Sequence, residues 1–189
     1  MIQIDERKGR ALARYAREAI TEALGGPPAN APREDGFDVP AATFVTLRRG
    51  GELHGCVGAL EARRPLVADV GENAVAAALR DPRAPVIHRS DVPSLDVEVS
   101  LLSPLEKIDY DGTEEGAARA LVPFKDGVVL RRGYRRGTYL PQVWESFSSP
   151  REFLQSLMLN AGVYGPWTPD IELFRYSVRK WRDPAPRPS

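Results

Sequence analysis

The sequence predicts an α+β fold: a largely antiparallel sheet built from hairpins, flanked by about three helices. Three observations carry that prediction. Strand-like runs come in neighbouring pairs around Gly- or Arg-rich turns. Apolar residues alternate with polar ones through Leu95, Val97, Val99 and Leu101. Segments with helical periodicity or capping signals are interspersed, but not in the strict strand–helix–strand repeat that a parallel sheet requires.

Each element has a local reason. Asp5 can cap a first helix whose apolar positions are Leu12, Tyr15, Ala16, Ala19, Ile20 and Ala23, with Gly25-Gly26 ending it. Residues 27–40, rich in Pro and Gly, suit a surface loop long enough for mobility or binding. Thr43–Arg48 and Leu53–Val57 form a hairpin on Gly50-Gly51. Pro65 opens a second, Ala-rich helix that reaches Leu79, and Asp81-Pro82 stops it. Leu95–Leu101 reads as a half-buried strand whose polar face, Asp96, Glu98 and Ser100, is wet. Gly127–Arg131 and Thr138–Gln142 read as two strands around residues 132–137. Ser149-Pro150-Arg151-Glu152 is a capping box opening a helix that Gly162 closes. Ile171–Lys180 reads as one last strand. The expected organisation is a single domain over residues 1–182, with 183–189 as a C-terminal tail.

Composition narrows the class. Lys plus Arg and Asp plus Glu are 26 each, so no bulk charge steers the chain to nucleic acid or an anionic membrane. No apolar run can span a bilayer, and no basic-then-apolar leader is evident. A single Cys excludes an internal disulfide and, with two His, offers no convincing metal ligand set; His88 has no partner at metal-ligand spacing. Phosphate-loop, dinucleotide and serine-elbow motifs are missing, so no cofactor is expected. The expected compartment is a reducing cytoplasm.

The most informative stretch is Leu53-His54-Gly55-Cys56-Val57-Gly58. Regular alternation sends Leu53 and Val57 to one face and His54 and Cys56 to the other. Residues two apart on a face are roughly 6.5–7 Å apart, too far for a direct thiol–imidazole hydrogen bond without lean or a water. Gly55 and Gly58 strip bulk from the strand and suit a bulge or the close approach of ligand or backbone. Cys56 is therefore either a nucleophile or ligand-contacting thiol, or a small buried hydrophobe.

These residues resemble the Leu-Arg-Gly-Cys-Ile-Gly signature of the AMMECR (AMME chromosomal region) family, with His54 where that family usually carries Arg. The resemblance extends to Gly50-Gly51-Glu52, Asp81-Pro82-Arg83, Glu98-Val99-Ser100 through Ser103-Pro104, and Asp126-Gly127-Val128. It continues in Gly137-Thr138-Tyr139-Leu140-Pro141-Gln142-Val143, Trp144-Glu145, Ala161-Gly162-Val163 and Trp167, and so spans nearly the whole chain from the hairpin onward. It implies an α+β fold with a principal antiparallel sheet. It also implies similarity to protein A of a bacterial and archaeal three-part system (AmmeMemoRadiSam), whose other parts are a Memo-like protein and a radical S-adenosylmethionine protein. His54, and Asn160 where the family often has Lys, both reduce fixed positive charge.

Two readings follow. In the first, an enzyme or enzyme component uses Cys56 as nucleophile or covalent carrier, with His54 as base or orienter and Glu98 as supporting carboxylate. A cleft would then be lined by Gly55, Gly58, Ser100 and Gln142, and the thiol pKa would be depressed. In the second, the chain is a non-catalytic interaction module whose Gly-rich signature admits a partner's backbone. Arg132 and Arg135, in the Arg131–Arg136 hairpin, are the candidate anion site, against the plainer role of a solvated turn protecting a sheet edge. That hairpin also carries a weaker nucleic-acid reading, limited by its sparse aromatics.

Overall fold

Two four-stranded sheets, each with its own helices and its own buried core, organise the chain in the computed structural model, which describes residues 3–185. Among these residues the chain order begins α1 (Glu6–Ala23), β1 (Pro40–Ala41), β2 (Thr43–Arg49), β3 (Glu52–Gly58), β4 (Arg64–Pro65), α2 (Leu66–Leu79) and β5 (Leu95–Leu102). It continues with β6 (Glu106–Lys107), α3 (Glu114–Ala120), β7 (Gly127–Arg132), β8 (Arg135–Tyr139), α4 (Pro150–Asn160), β9 (Glu172–Tyr176) and β10 (Val178–Asp183). One compact unit runs to Leu102 and takes up the chain again from Arg179; the other is Ser103–Val178. The α+β class with antiparallel hairpins is therefore as expected, and strands with defined register pair antiparallel throughout.

The first unit holds a four-stranded sheet in the order β10-β5-β2-β3 and a small β1-β4 pair. Gly50 and Gly51 close the β2–β3 hairpin, both in the left-handed region at φ 59° and 87°, where a side chain would be strained. Leu12, Ala16 and Ile20 of α1 and Val70, Ala74 and Ala77 of α2 share one core with Val45, Leu47, Val97 and Val99. That is the helical stripe of α1 meeting the apolar side of the strand alternation. Residues 27–40 differ from a simple surface loop. Phe37 is buried, and the carbonyls of Phe37 and Val39 accept from Val67 and Leu66, tying the loop to the start of α2.

A buried polar network fixes α2 to β2. The Asp69 carboxylate accepts from the Thr43 amide at 3.0 Å, the Thr43 hydroxyl at 2.6 Å and Asn73 Nδ2 at 3.0 Å. Its other oxygen accepts from Arg64 Nε at 3.2 Å and Nη2 at 2.9 Å. Five donors converge on one carboxylate, so the charge is satisfied at the position where it is buried.

The second unit stacks the order β6-β9-β7-β8 against α3 and α4. Trp144 lies flat on Phe153, ring centres 3.7 Å apart, and its indole N–H donates to the Asp126 carbonyl at 2.7 Å. Ser149 accepts from the Glu152 amide at 3.2 Å as the capping signal predicts. The sequence reading missed α3, a short helix whose cue is Thr113, which accepts from Gly116 N at 2.9 Å.

Four expectations are corrected. The last strand is two: Ser177 interrupts it and exchanges backbone and side-chain hydrogen bonds with Ser103, leaving β9 and β10 in different sheets. Strand β8 ends at Tyr139, because Pro141 opens a 3-10 turn over Pro141–Ser146 that contains Gln142. The polar side of β5 is not uniformly wet, for Glu98 and Ser100 are both buried. Asp183 belongs to β10 and pairs with Arg17, so it is not part of a tail; residues 186–189 lie outside the described residues.

Asp69→Ala should leave the buried Thr43 amide and hydroxyl without their acceptor, remove one partner each from Asn73 and Arg64, and lower the unfolding free energy by about 3 kcal/mol. Urea denaturation measures it. A loss below about 0.5 kcal/mol would contradict the anchoring role.

Candidate functional site around Cys56

The position of Cys56 is set by a β-bulge. From Gly50-Gly51 the hairpin pairs Arg49 with Glu52 and Arg48 with Leu53, but then Leu47 pairs with Gly55 and Thr46 with Cys56. His54 is the extra residue, so the register slips by one and every later side chain changes face. Without the bulge Cys56 would stand opposite core residue Val45. With it, Cys56 faces the same side as Thr46, away from Val45 and Leu47.

Cys56 is half-buried, and its Sγ lies 3.2 Å from the Thr46 hydroxyl. Strand β3 is the end strand of its sheet, so the Cys56 amide and carbonyl turn to the free edge. Asp81 and Arg83 cover that edge. Asp81 Oδ2 accepts the Cys56 amide at 2.9 Å, and Arg83 Nη2 donates to the Cys56 carbonyl at 3.3 Å. The two side chains also bind each other, Arg83 Nε to Asp81 Oδ1 at 3.0 Å and Nη2 to Oδ2 at 2.8 Å. With its side chain only 2% exposed, Asp81 depends on these donors. The Arg83 side chain, then the Cys56 and Arg83 amides, hold its carboxyl well below the usual carboxylate range.

The sequence marks Asp81-Pro82 as a helix stop and Asp81-Pro82-Arg83 as part of the family resemblance, and it gives none of these residues, nor Thr46, a role at the thiol. A signal for Asp81 and Arg83 was present in the Asp-Pro-Arg segment. Thr46 was concealed by the bulge.

The expected Cys56–His54–Glu98 relay is not assembled. His54 is 5% exposed, and its Nε2 has no hydrogen-bond partner among the described residues. Burial lowers its pKa, the Arg49 charge lowers it further, and Asp91 and Asp81 oppose the shift. Glu98 shares a face with Cys56 but lies beyond Thr46, two strand spacings or roughly 10 Å away. Its carboxylate is held by Arg182 Nε at 2.6 Å and Lys180 Nζ at 3.2 Å.

The proposed ligand-contacting residues divide similarly. A Cβ on Gly55 would lie 2.1 Å from the Ala77 carbonyl, and one on Gly58 would lie 2.3 Å from both the Phe44 ring and the Thr43 carbonyl. Both glycines therefore admit neighbouring parts of the protein itself rather than leaving room for a ligand. Ser100 is 2% exposed and pairs across the sheet with Phe44. Gln142 lies in the second unit, on the 3-10 turn.

In the second unit Arg132 pairs with Asp170 at 3.0 Å and Arg131 stacks over Phe174. Arg135 lies between the rings of Tyr134 and Tyr164, 5.9 Å from each centre. Those two rings are 92% and 71% exposed. Asn160 accepts from the Thr138 amide at 3.2 Å, so it ties α4 to β8. Among the described residues, no group of His, Cys, Asp and Glu is placed to hold a metal, and no helix is long and apolar enough to cross a membrane.

The geometry defines an α+β protein with one partly exposed thiol beside a clamped sheet edge. The AMMECR1 family model matches residues 13–181, and the chain belongs to that family. Curated relatives include a protein of Methanothermobacter thermautotrophicus, 33% identical over 91% of this chain and 92% of its own length. A Thermotoga maritima protein is 35% identical over 79% of this chain and 82% of its own. The crystal structure of the uncharacterised protein PH0010 from Pyrococcus horikoshii superposes with a TM-score of 0.85 at 30% identity, covering 98% of this chain and 96% of that one.

His54 supplies a pH test. Its pKa is lowered on folding, so below about pH 6.5 the unfolded chain binds the proton more readily. The linked stability is present above that pH and is lost as pH falls through it. In urea denaturation between pH 8 and 5, wild type should lose stability relative to His54→Gln. Parallel profiles would contradict the buried neutral imidazole.

Proposed function

We propose that this protein is a thiol-dependent enzyme, or the thiol-bearing component of one, in which Cys56 is the reacting group. The observation that carries the reading is a thiol left partly exposed while its own backbone is fixed by a buried carboxylate. Nucleophiles need a held position and an open face, and a structural Cys needs neither. Thr46 is the hydrogen-bond partner of Sγ, and Asp81 with Arg83 positions the residue. His54 and Glu98 have other partners or surroundings, and the roles of base and supporting carboxylate do not fall to them.

The family resemblance supports a protein that works with a Memo-like and a radical S-adenosylmethionine partner, as the three-part system would require. The interaction-module reading draws support from a different place than expected. The signature glycines are filled by the protein's own backbone, whereas Tyr134 and Tyr164 expose an aromatic pair around Arg135, a composition typical of contact hot spots. With Arg131 and Arg132 already engaged, this hairpin gives little support to nucleic-acid binding.

Iodoacetamide under native conditions tests the thiol reading, with mass spectrometry locating the adduct. Cys56 should be modified in the folded protein, and Cys56→Ser should fold with its stability within about 1 kcal/mol of wild type. Modification only in denaturant would sink the enzymatic reading and leave the interaction module.

A further inference from the structure

Two arginines border Cys56, Arg48 on its open face and Arg83 at its strand edge. We propose that the Cys56 face of the first sheet binds a small oxyanion, a carboxylate or phosphate, between Arg48 and Arg83. The proposal rests on the thiol reading and deepens it by naming the chemical class of substrate: an electrophile that carries such a group.

The placement of Arg48 follows from the same bulge that turns Cys56. Arg48 is two residues from Thr46 on β2, so it shares the Cys56 face, and its cross-strand neighbours are Leu53 on β3 and Asp96 on β5. Diagonal neighbours on one sheet face have Cβ atoms roughly 7–8 Å apart, within reach of an extended guanidinium. Arg48 is half-buried, yet it makes no hydrogen bond or ion pair with any other described residue. The arginines around it differ: Arg49 pairs with Asp91, Arg64 with Asp69, and Arg182 with Glu98. A partly desolvated guanidinium with no protein partner favours an oxyanion that can accept two of its donors.

Arg83 complements it. Asp81 fixes this guanidinium through Nε and Nη2, and Nη2 also reaches the Cys56 carbonyl. Nη1 makes no hydrogen bond to a described residue, and the side chain is 69% exposed. The fork is therefore held at the thiol with donors to spare. Asp81 leaves Nη1 of this fork free, and no carboxylate among the described residues is within ion-pair distance of Arg48. Glu98 is held by Arg182 and Lys180, and Asp96 accepts from the Ala185 amide at 2.8 Å. Asp81 offsets the charge of Arg83, so what the thiol face offers an anion is the unpaired guanidinium of Arg48, with Nη1 of Arg83 as a further donor.

Two alkylating reagents that differ in charge test this. In the folded protein the ratio of Cys56 alkylation rates, iodoacetate over iodoacetamide, should exceed the ratio for the same thiol in urea by about fivefold, roughly the effect of one unit-charge contact in water. Arg48→Gln should return that ratio toward the urea value, and the ratio cancels any change in thiolate fraction because both reagents depend on it alike. A folded ratio at or below the urea value, or one that Arg48→Gln leaves unchanged, overturns the subsite.

Inertness to both reagents would defeat the thiol reading, and the subsite is then decided separately. Inorganic phosphate and acetate are each titrated while the 15N resonance of Arg48 Nε is followed. A saturable shift lost in Arg83→Gln upholds the oxyanion site, and the anion that binds more tightly identifies phosphate or carboxylate. No saturable shift with either anion rejects it.

Discussion

A single carboxylate, Asp81, makes the Cys56 site possible. An end strand exposes amide and carbonyl groups that invite another strand, and β3 is such a strand. Asp81 and Arg83 close this edge at the residue that bears the thiol, with a carboxylate for the amide and a guanidinium for the carbonyl. The pair does the work of a neighbouring strand without its bulk. Cys56 is consequently rigid along the backbone and open at its sulfur, a combination that burial in a sheet interior would not provide.

Helix α2 is the element that coordinates these demands. Asp69 in its first turn binds Thr43 at the start of β2, and Asp81 just beyond its last turn binds Cys56 on β3. Between them the Ala77 carbonyl sits over Gly55, so closely that no side chain fits. The glycine beside the cysteine thus belongs to helix packing. A motif that reads as an open approach for a ligand is, on its core side, an approach for α2, and the Cys56 face is what remains for chemistry.

Much of this fold was legible in the sequence because its signals are local. The Gly50-Gly51 turn, the strand over Leu95–Leu101, the start of α2 just after Pro65 and the Ser149 cap each depend on a few adjacent residues, and each is found. The site was less legible because it depends on one inserted residue. His54 carries no mark of a bulge, and regular alternation places it beside Cys56. The one-residue slip instead buries His54 and turns Cys56 to Thr46, while the strand order β5-β2-β3 keeps Glu98 two strands away. The Ser177 break escaped notice for a similar reason, since its cause is a contact with Ser103, 74 positions away in the chain.

Amide hydrogen exchange at Cys56 tests the central claim most directly, with Asp81→Ala compared against wild type. Alternation turns the neighbouring Val57 amide inward to β2, which makes it an internal control. The account predicts a protected Cys56 amide in wild type that loses at least about tenfold of its protection in the variant, while Val57 keeps its own. Equal protection of Cys56 in the two proteins would mean that Asp81 does not hold the edge, and the account of the site would fail with it.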